Sequence, residues 1–293
     1  MKSAKFITAL TVFLIGVSFY SNAQNRRLYK GQYHRGKSQP NISFKGITKN
    51  ELITIYGTSG VASYNGDLSG NIKGHSFRPQ IGAGAILRTK YFGKRLYLRA
   101  DVRMFRLYSK DIHESRNFNF RSTNWEFLAI GQFELFPYEK LMRRRPLINP
   151  YVYAGVGLMT FDAWGQLGNG KWHQLRPLET EKVKYGNIAF TYTLGLGLKF
   201  RYSYKWNFML EGGYRFTTTD YIDDVSKEKY PDPSAFDNNG IAIYMSNKSG
   251  NYNSTRGSSK YNDGYFMFSA GVTYTFTKFH KARTGSAKNL LRK

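Results

Sequence analysis

The chain has 293 residues and a formal net charge of +25, with 17% aromatic residues, 29 glycines and no cysteine, and its mean hydropathy is −0.51. No run after the first residues approaches the roughly 18 apolar positions of a spanning helix, and the absence of cysteine removes disulfides and thiolate chemistry as sources of stability or function. A balance this basic calls for anionic partners, of which nucleic acid is the usual one.

Lys2 and Lys5 precede an apolar stretch from Phe6 to about Val17, and Ser21-Asn22-Ala23 supplies small residues before Gln24. This pattern is a secretory signal peptide over 1–23, its apolar stretch too short to anchor in a bilayer. Export argues against nucleic acid as the anion, leaving outer-membrane lipid and lipopolysaccharide or an acidic protein surface. A basic arm follows over 24–50, carrying Arg26, Arg27 and Lys30.

From residue 51 onward the pattern has a period of two. Segments near 52–62, 78–90, 95–107, 124–136 and 150–162 alternate, and three later ones do so with few breaks. In 190–202, Phe190, Tyr192, Leu194, Leu196 and Leu198 oppose Thr191, Thr193, Gly195, Gly197 and Lys199. In 206–216, Trp206, Phe208 and Leu210 oppose Asn207, Met209 and Glu211; in 265–279, Phe266, Phe268 and Val272 oppose Met267, Ser269 and Thr273. Strict alternation reads as strand, not helix. The connections fall at about 63–77, 91–94, 108–123, 137–149, 163–187, 202–205 and 218–264, mostly long then short. The fold expected is an all-β, eight-stranded antiparallel transmembrane barrel of the outer-membrane type over 51–279, with long external loops and both termini periplasmic. A basic tail, 280–293, carries Lys281 and Arg283. A soluble sandwich or lipocalin-like barrel shares the period but would hide its apolar face.

The inward faces hold Arg88, Arg99, Asp101, Arg103, Glu126, Gln132, Glu134, Lys199, Arg201, Glu211 and Arg215. Eight strands leave a lumen that side chains fill, so a salt-bridged plug is expected in preference to a conduit or proton path. Catalytic patterns are missing: there is no G-x-S-x-G elbow or H-E-x-x-H helix, and the five histidines have no metal-ligand spacing. Gly82-x-Gly84, Gly155-x-Gly157 and Gly195-x-Gly197 lie inside strands and read as thinning of the barrel wall. The acidic run Asp220, Asp223, Asp224, Glu228 and Asp232 matches no calcium-loop spacing. Enzymatic function, cofactor and metal are therefore not expected.

Four loop segments carry a family resemblance. Tyr64-Asn-Gly-Asp67-Leu68, Arg116-Asn-Phe-Asn-Phe-Arg121-Ser122, Leu175-Arg-Pro177-Leu178-Glu-Thr180-Glu181 and Thr219-Asp220-Tyr221-Ile-Asp223-Asp224-Val225-Ser226 resemble the PorG barrels of the type IX secretion system of Bacteroidota. The third departs from the family pattern at Arg176, and the basic arms inherit nothing from it. The resemblance implies a structural part of a protein-export and gliding machine that tethers the periplasmic ring of the lipoprotein PorK and PorN (GldK and GldN), and other secretion components are conceivable partners. A generic small barrel for adhesion, lipid binding or passive transport is the alternative. Two expectations complete the reading. A basic underside of Arg26, Arg27, Lys30, Lys140, Arg143, Arg144, Arg145, Lys281 and Arg283 docks an acidic ring surface, or else meets anionic headgroups. On the other side, Arg116 and Arg121 pair with Asp220, Asp223 and Asp224 to close a lid, or else these loops meet a second partner outside or within the membrane, which deletion of 230–260 tests in part.

Overall fold

A computed structural model describes residues 53–68, 76–89, 91–111, 116–139 and 142–276. The signal segment, Arg26, Arg27, Lys30, Lys140, Phe279, Lys281 and Arg283 lie outside the described residues. Among the described residues ten strands run in chain order: β1 (Ile53–Asn65), β2 (Arg78–Arg88), β3 (Leu96–Lys110), β4 (Asn119–Glu134), β5 (Ile148–Thr160), β6 (Trp164–Gln166), β7 (Trp172–Gln174), β8 (Ile188–Arg201), β9 (Trp206–Thr217) and β10 (Gly264–Thr275). Among the described residues one α-helix, the two-turn α1 (Gly240–Ser246), lies in the connection between β9 and β10. Eight of the strands pair antiparallel with their neighbours around a ring, and β10 pairs with β1 from Tyr64↔Tyr265 to Thr54↔Thr275, so the sheet is closed. Closure leaves none of the eight with an open edge. The short β6 and β7 form a hairpin that extends the sheet beside the upper end of β4.

The seam between β1 and β10 is tight. A Cβ on Gly60 would lie 2.0 Å from the Phe268 carbonyl oxygen and 2.7 Å from the Ser269 Cα, so only glycine lets the two backbones meet there. Inward glycines also make room for large neighbours: Gly195 and Gly213 face the Tyr153 ring, and Gly197 faces that of Tyr151. The reading of the Gly-x-Gly pairs as strand positions that thin the wall thus takes a specific form at Gly195 and Gly197.

Polarity is inverted relative to a water-soluble barrel. Outward residues such as Phe190, Leu194, Phe127, Phe268 and Leu210 are exposed, whereas Arg103, Glu126 and Arg215 are buried. An apolar outer band around a charged interior is the arrangement of an outer-membrane barrel, and a lipocalin-like chain would have it the other way round. The long connections gather at one end, here called the loop end, and the short ones at the other, the turn end. Above the charged interior, the loop end has its own apolar core, in which Tyr64, Leu68, Phe105, Phe118, Phe120, Phe161, Leu175, Ile222, Val225 and Met245 pack together.

Candidate functional site

Three layers can be built along the barrel axis. The first is the lumen. Side chains on adjacent inward positions of β3, Arg99, Asp101 and Arg103, meet Glu211 from β9 across the interior. Arg99 pairs with Glu211 and with Asp101 (3.1 Å) and donates to Gln132 (3.1 Å) and Tyr56 (3.0 Å). Arg103 bridges Asp101 (2.8 Å) and Glu211 (3.2 Å), while the Tyr151 hydroxyl donates to Glu211 (2.8 Å). Closer to the loop end, Glu126 accepts from Tyr265 (2.6 Å) and faces Arg215 (3.9 Å). Towards the turn end, Glu134 pairs with Lys199 and accepts from Gln132 (3.0 Å) and Asn149 (2.7 Å). Four cations, Arg99, Arg103, Lys199 and Arg215, thus stand among four carboxylates, Asp101, Glu126, Glu134 and Glu211. Pairing of this kind offsets the desolvation of each ion. Arg201 belongs elsewhere: at the end of β8, it donates to the Met142 and Arg145 carbonyls.

The second layer is a lid over the loop end, and here the sequence expectation needs correcting. Arg116 pairs with Asp111 (2.6 Å) and donates to the carbonyls of Asp67 (3.1 Å) and Arg256 (2.8 Å). Arg121 lies on the outward face of β4, its guanidinium 4.3 Å from the Trp172 ring centre. Neither arginine therefore meets Asp220, Asp223 or Asp224 through an ion pair. The period-two geometry of β4 explains Arg121, because an odd-numbered position there faces outward.

The central cation is Arg256, which is 1% exposed. It pairs with Glu181, donates to Thr180 (3.0 Å) and the Asp224 carbonyl (3.2 Å), and reaches the Ser246 carbonyl (3.2 Å). Glu181 also accepts from the backbone of Ser226 (2.8 Å) and Lys227 (2.9 Å). Asp224 sits at φ 67°, in the left-handed region, and accepts from Thr180 and from Tyr185 (2.5 Å). Asp67 accepts from the Ser258 amide (2.7 Å). All four loop segments quoted above thus converge on one buried assembly. Residues 230–260 contribute to this assembly: Phe236, Ala242, Met245 and Arg256 are buried there, while Glu228 and Asp232 of the acidic run face solvent.

Beside Arg256 lies a carboxyl pair that the sequence reading missed. The Tyr64 hydroxyl is 2.6 Å from Asp223 and 2.5 Å from Asp263. One phenol has one proton, so it can donate to only one of them; the other contact requires a protonated carboxyl. Burial pushes Asp223 well up, reinforced by the charge of Asp263, and burial does the same for Asp263 against the pull of Tyr64. Burial also raises Asp220 to about 7, with Ser226 opposing, and Asp224 to about 6 despite Arg256, Thr180 and Tyr185. No periodic signal could have found Arg256, Asp263 or Tyr185, because they act from irregular segments.

The third layer is the turn end. Arg143 and Arg144 are exposed in the turn between β4 and β5. Arg145 folds inward: it donates to the Glu139 carbonyl (2.6 Å) and to the Tyr138 hydroxyl, with its guanidinium 4.2 Å from the Tyr138 ring centre. The three consecutive arginines thus do different work. A cavity of about 70 Å³ opens at this mouth, with Arg88, Arg145, Lys199 and Arg201 among its lining residues. Among the described residues, no group of three or more His, Cys, Asp or Glu is placed to hold a metal, and no helix is long and apolar enough to cross a membrane.

No protein-family model matches the chain, and no curated protein does. Among solved structures, the chain is similar to Neisserial surface protein A, with 13% identity over 76% of this chain and 97% of that one and a TM-score of 0.38. It is also similar to the attachment invasion locus protein Ail of Yersinia pestis, with 11% identity over 78% and 99% and a TM-score of 0.38. The N-terminal β-barrel domain of Pseudomonas aeruginosa OprF gives 10% identity over 77% and 99% and a TM-score of 0.33. The fold assignment rests on the closed ladder itself.

Proposed function

We propose that this chain is a non-enzymatic barrel of the bacterial outer membrane that anchors a periplasmic ring of the type IX secretion machinery, the PorK–PorN (GldK–GldN) assembly. The exposed apolar band supports the membrane location. In such barrels short turns face the periplasm, so the reading puts Arg143, Arg144 and both chain termini on the ring's side. Arg26, Arg27, Lys30, Lys140, Lys281 and Arg283 join the same docking surface in this proposal, and the ring contributes the acidic face. The observation that carries the reading is the lumen: paired charges from Lys199–Glu134 to Arg215–Glu126 fill it, which leaves the two ends of the barrel, rather than its interior, as working surfaces. The secretion role itself rests on the PorG-like loop segments.

Affinity isolation of the tagged protein from membranes in mild detergent tests the anchor. Ring proteins are expected in near-stoichiometric amounts, and their absence under conditions that keep the barrel folded would leave only a generic small barrel. Replacing Arg143 and Arg144 with Glu is the sharper variant, because Arg145 stays to hold its turn together. Unchanged ring recovery would remove docking through that turn.

A further inference from the structure

We infer that the outer wall of β3 and β4, next to the loop end, is a binding site for the phosphates of lipopolysaccharide in the leaflet that faces the cell exterior. The inference rests on the membrane placement and orientation given above and goes beyond the ring contact. It starts from an asymmetry. Among the described residues, the outward positions of the eight barrel strands carry three charged side chains, Arg106, Lys110 and Arg121, and all three stand on β3 and β4. Outward positions on the other six strands are apolar or uncharged. A cation on a barrel's lipid face costs little near the interface and much at the midplane. Tolerance therefore explains the height of the three, but not their gathering on one pair of strands. The pairing register makes them one group: Arg106 stands opposite Thr123, Tyr108 opposite Arg121 and Lys110 opposite Asn119, which sets Arg121 diagonally between the other two cations. Their charge is not cancelled. None of the three has an ion pair among the described residues, and the acids beside them, Asp111 and Asp162, pair with Arg116 (2.6 Å) and Arg176 (3.6 Å). Aromatic rings orient the guanidinium groups instead: Arg121 lies 4.3 Å from the Trp172 ring centre, and Arg78 brings a further guanidinium to 4.4 Å from that of Tyr108. A guanidinium stacked on a ring keeps its N–H edge for a pair of phosphate oxygens.

Two observations select the occupant. Towards the turn end, the same outward faces continue as Met104, Trp125 and Phe127, and the Met104–Trp125 pair stands one step below Arg106 and Thr123. A ligand that touches the cations therefore rests its remainder on a surface made for acyl chains, which fits an anionic lipid and disfavours a soluble peptide or a free oxyanion. The second observation is length. Arg106 and Lys110 lie about 14 Å apart along the strand. The single phosphate of a glycerophospholipid reaches one level of that ladder, whereas the phosphorylated sugar headgroup of lipopolysaccharide spreads its anionic groups over such a distance. In the orientation above, the loop end meets the leaflet that holds this glycolipid.

The test uses the full-length protein, purified in detergent and stripped of lipid, with lipid A as the probe and native mass spectrometry to follow bound lipid across a titration. Saturable binding is expected, about tenfold or more tighter for lipid A than for its dephosphorylated form or for dioleoylphosphatidylglycerol. The wall variant Arg106→Gln/Lys110→Gln/Arg121→Gln should weaken lipid A binding by about tenfold or more. Lys184→Gln/Lys229→Gln/Lys260→Gln removes equal charge from exposed loop positions and should change it by less than about twofold. Heat-modifiable gel migration verifies folding; if the wall variant misfolds, Arg106→Gln alone takes its place, with a loss of about threefold expected. Absence of lipid A binding, or a folded wall variant that binds as well as the parent, overturns the inference. So does equal binding of phosphatidylglycerol or of dephosphorylated lipid A, which would make the wall a general lipid surface. Displacement of lipid A by millimolar inorganic phosphate, beyond what chloride achieves at equal ionic strength, overturns it as well, because the site would then take any oxyanion. Orientation is read separately, by surface labelling of intact cells that carry an epitope after Gly250, an exposed loop position. Labelled cells without lipid A binding sink the site and keep the orientation. Cells labelled only after permeabilisation overturn the orientation and, with it, lipopolysaccharide as the occupant. Ring recovery reads the anchor, and neither result depends on it.

Discussion

Arg256 and Glu181 are a buried ion pair whose partners come from sequence segments far apart, and a pair like this costs far more to break than it contributes in place. Arg256→Ala is expected to destabilise the lid by about 3 kcal/mol or more, because Glu181 and the Asp224 carbonyl lose their donor. Limited proteolysis checks it: cleavage within 218–263 should accelerate while the strands stay protected. The lid should also respond to pH. Asp224 at about 6 and Asp220 at about 7 lie above the ordinary carboxyl value, as do Asp223 and Asp263. The closed lid therefore binds more protons than the open one, and its stability is complete below the unfolded carboxyl value of about 4 and declines as pH rises through 6 to 7 and beyond. Loop proteolysis should be faster at pH 8.5 than at pH 5.5, and Asp263→Asn, which supplies a neutral partner to Tyr64, should flatten that dependence. A profile independent of pH in the parent protein would contradict the shared proton.

At the scale of the element, the seam that closes the barrel depends on residues with no side chain, Gly60 above all. Gly60→Ala is expected to spoil the seam between β1 and β10, since the added carbon would meet the Phe268 carbonyl oxygen at 2.0 Å. The measurement is the fraction of heat-modifiable, folded barrel after refolding into lipid, which should fall sharply. The eight strands were legible in the sequence because each has one face in lipid and one in a polar lumen, so alternation survives even where ends shift: β4 starts at Asn119 rather than near 124, and β3 runs on to Lys110. Those extensions stand beyond the apolar band, where outward positions such as Arg106, Lys110, Arg121 and Thr123 are polar and exposed, so the apolar–polar contrast fades. The hairpin β6–β7 and helix α1 were not legible for a different reason. Their segments pack on loops, and neither has enough length to show a period.

For the whole molecule, the neutral set of eight lumen charges predicts that the purified protein shows no steady single-channel conductance in planar bilayers, and a reproducible open level would overturn the plug. Leu194→Arg, on the outward face of β8, should destabilise the inserted barrel by about 2 to 4 kcal/mol, read from the denaturant midpoint of unfolding in lipid. The inward charges were readable from alternation, while their partners were not, because cross-barrel contacts such as Arg99 with Glu211 join positions that no local spacing relates. Arg256 also fixes an order of events. It is encoded just ahead of β10, the strand that seals the cylinder, and its ligands Thr180, Glu181 and Asp224 all precede it in the chain. An assembly intermediate lacking only its final strand would thus already hold every residue of this latch, so the loop end can lock before the cylinder is sealed.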